Sequence, residues 1–200
     1  MKKRKFLPGV LFLIVGIGTM VFAFGGMYWF GNGGVFSENS SITLNASSLS
    51  ELETVPSTGV IVDAKTNTVE FTGSKIIIPI IASPENGPMY SFGIYGLVNP
   101  TIVVRRSTEV RLLFVNGDND MYHGVVVTAG APPYPYMGMM MFDSPAFGNS
   151  FVPPLPPESS GKYTGASAIF DASQAGSFYY ICQVPGHAAD GMYGRFLVEN

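Results

Sequence analysis

Only 12% of the chain's 200 residues are charged, about half the ~25% of an ordinary soluble domain, and the net charge of −3 is unevenly spread. The first 30 residues hold four bases and no acid, which leaves 7 Lys+Arg against 14 Asp+Glu (net −7) for the rest and no basic face for a nucleic acid. A single cysteine excludes an intramolecular disulfide, and abundant Gly, Pro and aromatic residues favour strands and turns over helices.

Lys2, Lys3, Arg4 and Lys5 precede an uncharged stretch over 6–30. It exceeds the ~20 residues a helix needs to cross a ~30 Å hydrocarbon layer, and a secretory apolar core is usually only ~7–15 residues. One N-terminal transmembrane helix over residues 1–30 is therefore expected, with Tyr28, Trp29 and Phe30 in an interfacial belt. The basic cluster stays in the cytoplasm, giving a single-pass protein of the cell membrane whose remainder is extracytoplasmic. A signal peptide cleaved near Ala23 or Gly25–Gly26 is the alternative. Residues 31–55, rich in Gly, Ser and Asn, read as a flexible linker. Asn39-Ser40-Ser41 and Asn45-Ala46-Ser47 within it match the N-glycosylation pattern, which is common by chance.

Residues 56–200 read as one all-β domain. Strands are predicted over 59–64 and 68–73 around a turn at Lys65-Thr66-Asn67, and over 74–83, where Pro79 implies an edge strand or a bulge. Further runs cover 89–96, 101–106, 109–117, 124–130, 177–184 and 193–200. Short strands at regular spacing with turn signals indicate a sandwich or barrel. The interval 131–176, rich in Pro, Met and aromatics, reads instead as a long ordered connection with a functional role.

The chain's only cysteine begins a C-x4-H-x4-M pattern: Cys182, His187, Met192. Thiolate, imidazole and thioether are soft or borderline donors that together suit copper. A trigonal His2Cys site with a weak axial Met needs one more histidine, and the chain has one, His123, between the strands ending at Val115 and starting near Val125. Pro185-Gly186 and Asp190-Gly191 are turn formers that would fold the ligand loop back on itself. A lone cysteine often only fills core, but that leaves three donor types at matched spacing unexplained. Structural zinc wants four Cys/His ligands where three exist, and no histidine remains for a second kind of copper. The metal ligands are thus read as His123, Cys182, His187 and Met192, with no catalytic residues. Phe178, Tyr180, Val184, Pro185 and Met137 or its neighbours are expected around them, and Pro185, Ala188 and Ala189 as an apolar rim through which His187 reaches the surface. The methionines of "MGMMMF" (137–142) either fill an irregular gap or bind a second Cu(I) through thioethers.

At these residues the chain resembles the rusticyanins, blue copper proteins. "VDAKTNTVEFTGSKIII" (62–78), "APPYPYM" (131–137), "GKYTGAS" (161–167) and "GSFYYICQVPGHAADGMYGRFLV" (176–198) carry the resemblance. It implies a cupredoxin-like Greek-key β-sandwich with one Cu(I)/Cu(II) ion at one end. It also implies one-electron transfer in the respiratory chain of an iron- or sulfur-oxidising acidophile, an electron carrier rather than an enzyme, with partners such as a cytochrome c or a terminal oxidase. Direct Fe(II) oxidation is not separable from this role by sequence, and a copper carrier or storage module without redox traffic is the alternative. The N-terminal anchor departs from the soluble members of the family, and the membrane-anchored sulfocyanins are the nearest alternative group. A second departure is Gly124, where rusticyanins carry a serine after the upstream ligand histidine.

Overall fold

A computed structural model describes residues 41–137 and 145–200, all within the compact unit Phe36–Asn200. Its strands follow the alternation in the sequence. β1 (Ile42–Leu44) and a short helix, α1 (Ala46–Glu53), precede the hairpin of β2 (Val60–Asp63) and β3 (Thr68–Phe71). The Asp63 carboxylate closes that turn, accepting from the Lys65 N–H (2.8 Å) and the Thr66 hydroxyl (2.9 Å), and Asn67 takes φ 50°. Then come β4 (Lys75–Ala82), β5 (Phe92–Ile94), β6 (Leu97–Val98), β7 (Thr101–Arg105), β8 (Glu109–Asn116) and β9 (His123–Thr128). β10 (Phe151–Leu155), β11 (Tyr163–Asp171), β12 (Gly176–Ile181) and β13 (Tyr193–Glu199) complete the set.

Two sheets result, ordered β1-β11-β8-β4-β5-β6 and β10-β9-β12-β13-β7-β3-β2. Between them lies one apolar core that includes Val69, Ile78, Ile80, Phe92, Leu112, Phe114, Val125, Tyr180 and Phe196, and that also takes in Cys182 and Met192. This is the cupredoxin-like all-β sandwich that the sequence implies.

Several elements differ from expectation. The linker expected over 31–55 does not hold from residue 42 onward: Ile42, Thr43 and Leu44 pair with Gly165, Thr164 and Tyr163, so β1 is an edge strand of the domain. The sequon Asn45-Ala46-Ser47 is a helix start, because the Asn45 side chain accepts from the Ser48 N–H at 2.9 Å and caps α1. Within 131–176, β10 and β11 are strands. β11 is built from Gly165, Ala166, Ser167 and Ala168, which have weak strand preference of their own, and it is fixed by pairing with β8 from Thr164↔Asn116 to Asp171↔Glu109. β10 tolerates Pro153-Pro154 because it is an edge strand paired only with β9, in an irregular register. Pro79 lies in β4, inside its sheet by strand order, yet β5 reaches only Ile81 and Ala82, so at Pro79 the strand has a neighbour, β8, on one side alone. The transmembrane helix and the methionines after Met137 lie outside the described residues. Among the described residues no helix is long and apolar enough to cross a membrane.

Candidate metal centre

β9 and β12 are antiparallel neighbours, with Ile181 opposite Val126, so His123 at the start of β9 and Cys182 just beyond β12 meet at one end of the sheet. His187 and Met192 come from the connection between β12 and β13. Backbone bonds shape that connection: Cys182 N–H to Met192 O (3.0 Å), Met192 N–H to His187 O (2.9 Å), His187 N–H to Val184 O (3.2 Å) and Asp190 N–H to Gly186 O (2.9 Å). From outside, Gly186 N–H donates to Tyr136 O (2.7 Å). The Asn99 amide donates to Gly191 O (3.0 Å) and accepts from the Phe92 N–H (2.8 Å), tying the loop to the other sheet.

The three strong donors converge. His123 Nδ1 lies 3.1 Å from His187 Nδ1, Cys182 Sγ 3.5 Å from His187 Nδ1 and 3.8 Å from His123 Nδ1. A point equidistant from three atoms so spaced lies about 2 Å from each, the bond length of nitrogen- and sulfur-ligated metal ions of this size. Among the described residues this is the one cluster of His, Cys and acidic side chains able to hold a metal. His123 is 0%, Cys182 1%, His187 7% and Met192 0% exposed, so water is largely kept from the donors. Met192 is joined through its backbone to both Cys182 and His187, and its thioether is buried in the same cluster as Cys182. The donor set fits a single copper ion.

Burial pushes the Cys182 thiol up to about 11, against backbone N–H groups of Gly124 and Val184 that hydrogen-bond the sulfur and favour its thiolate. Burial likewise lowers both imidazoles below their ordinary value; the neighbouring His123 lowers His187 further, while Asp118 opposes the shift at His123. Both shifts favour the neutral imidazole, the form that ligates metal.

The structure adds residues that the sequence reading missed. Asp118 Oδ2 sits 2.9 Å from His123 Nε2, the ring nitrogen facing away from the donor cluster, and the Ser83 hydroxyl lies 3.4 Å from the same nitrogen. Asn116, fully buried, fixes this loop: its amide donates to Met121 O, Leu155 O and Pro156 O, and its oxygen accepts from the Asp118 N–H. In sequence, Asp118 lies just past the run read as a strand over 109–117, and nothing there marks it as a partner of His123. Gly124 is also explained: a Cβ there would lie 2.7 Å from Gln183 Nε2 and 2.8 Å from Val152 O, so Gln183 occupies the room a serine would need.

The expected surroundings hold in part. Tyr180 is buried, its hydroxyl donating to Pro100 O at 2.6 Å. Phe178 packs on Phe147 in the aromatic core rather than at the donors. Ala188 is not on the rim; it is buried in a small cluster with Val126, Tyr134 and Ile181. Pro185, Ala189 and Asp190 are exposed. Tyr90 packs on the His187 ring, with centroids 4.9 Å apart.

A two-sheet sandwich that gathers two imidazoles, one cysteine and a buried methionine at one end of its core defines a cupredoxin. No family model matches the chain. It is 30% identical over 136 residues to a rusticyanin of Acidithiobacillus ferrooxidans, a match covering 68% of this chain and 84% of that one. A rusticyanin of Acidithiobacillus ferridurans is 29% identical over 133 residues, covering 66% and 68%. The chain belongs to the rusticyanin family. Its fold is similar to a solved structure of reduced rusticyanin, with TM-score 0.70, 25% identity and coverage of 80% of this chain and all of that one. It is equally similar to rusticyanin from Thiobacillus ferrooxidans at 1.27 Å, with TM-score 0.71, 24% identity and coverage of 81% and 99%.

Proposed function

We propose that this chain is a one-electron carrier whose single copper ion is held by His123 Nδ1, Cys182 Sγ and His187 Nδ1, with Met192 as a weak axial donor. The observation that carries this reading is the triangle of three donor atoms, 3.1, 3.5 and 3.8 Å apart, closed off from water. Copper supplies the one-electron couple. The protein supplies a cage that changes little between the two oxidation states: the loop's backbone bonds and Asn99 hold the ligands, and amides of Gly124 and Val184 hold the sulfur. The family resemblance supports a place in the respiratory chain of an iron- or sulfur-oxidising acidophile, between partners such as a cytochrome c and a terminal oxidase. The uncharged stretch over 6–30 supports a membrane anchor with the copper domain on the extracytoplasmic side. A carrier or storage module would need exchangeable ligands, and burial of all four residues speaks against it.

The copper-loaded chain should be blue, through charge transfer from the Cys182 thiolate. Cys182→Ser should lose the colour and keep the sandwich; a retained blue band would remove Cys182 from the ligand set. Sedimentation tests the anchor. The full chain should stay with membranes through high-salt and alkaline washes, and soluble protein beginning near residue 24–27 would show a cleaved signal instead.

A further inference from the structure

We propose that Asp118 is a positioning residue for the metal site: its carboxylate fixes the tautomer of His123 so that the Nδ1 lone pair faces the other donors. The inference rests on the copper reading above. His123 has one ring nitrogen toward the donor cluster, Nδ1, and the other 2.9 Å from Asp118 Oδ2. An ionised carboxylate only accepts, so the proton of the neutral ring must sit on Nε2, which leaves Nδ1 bare. His123 is fully buried and Asp118 nearly so, and water cannot readily substitute as the partner.

The two carboxylate oxygens have different tasks. Oδ1 accepts from the backbone N–H groups of Asp120 (2.9 Å) and Met121 (3.2 Å), which shapes the turn. Oδ2 faces His123 Nε2, and the Ser83 hydroxyl lies beside this pair, bonded to the carboxylate and 3.4 Å from the ring nitrogen. Asp118 is itself held on both sides: its N–H donates to Asn116 Oδ1 (3.0 Å), and its carbonyl accepts from the Glu158 N–H (2.7 Å). Its charge, one imidazole away from the donor cluster, also raises the basicity of His123 and favours the more highly charged Cu(II).

Asparagine separates the two tasks. An amide has one acceptor and one donor end. With its oxygen toward the Asp120 and Met121 amides the turn survives, but its NH2 then meets His123 Nε2 and asks for the opposite tautomer, with the proton on Nδ1. In the full chain, Asp118→Asn should keep the apo fold, seen by circular dichroism and thermal melting. It should bind copper about 10–100-fold more weakly, and the copper that binds should have a higher potential. A folded Asp118→Asn with wild-type affinity and potential would overturn the inference. So would loss of apo stability with unchanged affinity, which would make Asp118 a turn former only. If the variant does not fold, 15N NMR of the wild-type Cu(I) form decides: a slowly exchanging proton on His123 Nε2 supports the inference, and metal on Nε2 overturns it. A wild-type chain that takes up no copper would remove both this inference and the reading beneath it; a blue wild type with an indifferent Asp118→Asn removes this inference alone.

Discussion

Tyr180 and Gly194 stand opposite each other on β12 and β13, and a Cβ on Gly194 would lie 2.2 Å from the Tyr180 ring and hydroxyl. The strand that leads into Cys182 and the strand that leaves the ligand loop therefore close around one fully buried ring, whose hydroxyl reaches Pro100 O.

Gly194→Ala should destabilise the domain by roughly 1–3 kcal/mol, the usual cost of overpacking a filled core. Tyr180→Phe should not rescue it, since the ring carbons remain in the way, and should itself leave the Pro100 carbonyl without its donor. Thermal melting of the two single variants and the double variant checks this; an unchanged midpoint for Gly194→Ala would show that the ring can move aside.

Gly124→Ser should also destabilise, because the new Cβ meets both the Gln183 amide and the Val152 carbonyl. Gln183→Ala removes the side-chain conflict but not the backbone one, so the double variant should recover part of the loss. A coupling of about 0.5–3 kcal/mol in a double-mutant cycle is expected. Full additivity would mean that Gln183 does not fill the serine's place.

If copper is held as proposed, Met192→Leu should still bind it and remain blue, because His123, Cys182 and His187 would remain as strong donors. Its potential should rise, since an axial donor stabilises Cu(II) more than Cu(I) and leucine donates nothing. Met192→Gln offers a harder oxygen and should lower it. Voltammetry should order the three as Leu above Met above Gln; loss of copper in Met192→Leu, or the highest potential for Gln, would remove Met192 from the axial position.

The two histidines set the acid response of the apo domain. Burial lowers both below the ordinary ~6.5, so through that window the unfolded chain binds more protons than the folded one. Their contribution is complete above about pH 6.5 and is lost as pH falls through the folded values. Asp118 is held well below the usual carboxylate range: burial pushes it up, but hydrogen bonds from Asp120, His123 and Ser83 outweigh that, and a second loss should follow in stronger acid. Copper occupies the neutral imidazoles and should offset the first loss. Melting from about pH 7 to pH 5 should therefore lower the apo midpoint more than the copper-loaded one. An apo midpoint that rises on acidification would contradict the neutral-histidine assignment.

The sequence by itself determined the metal chemistry and most strands. Cys182, His187 and Met192 are close along the chain, and His123 was the one remaining imidazole, so the donor set followed from inventory and spacing. β2, β3, β7 and β13 are marked by period-two alternation, and β4 and β9 by short, continuous apolar runs rich in β-branched residues. Tertiary structure decided what depends on partners. β11 is a strand because β8 lies beside its small residues, and β1 because β11 offers an edge. Asp118 looks like any turn-forming carboxylate until the loop anchored by Asn116 brings it to His123 Nε2. Gly124 looks like a lost serine until Gln183, on the strand exit across the sheet, is found in its place. Partners of this kind leave no local period or composition to read, and they are set only when strands pair and the loops at their ends fold over one another.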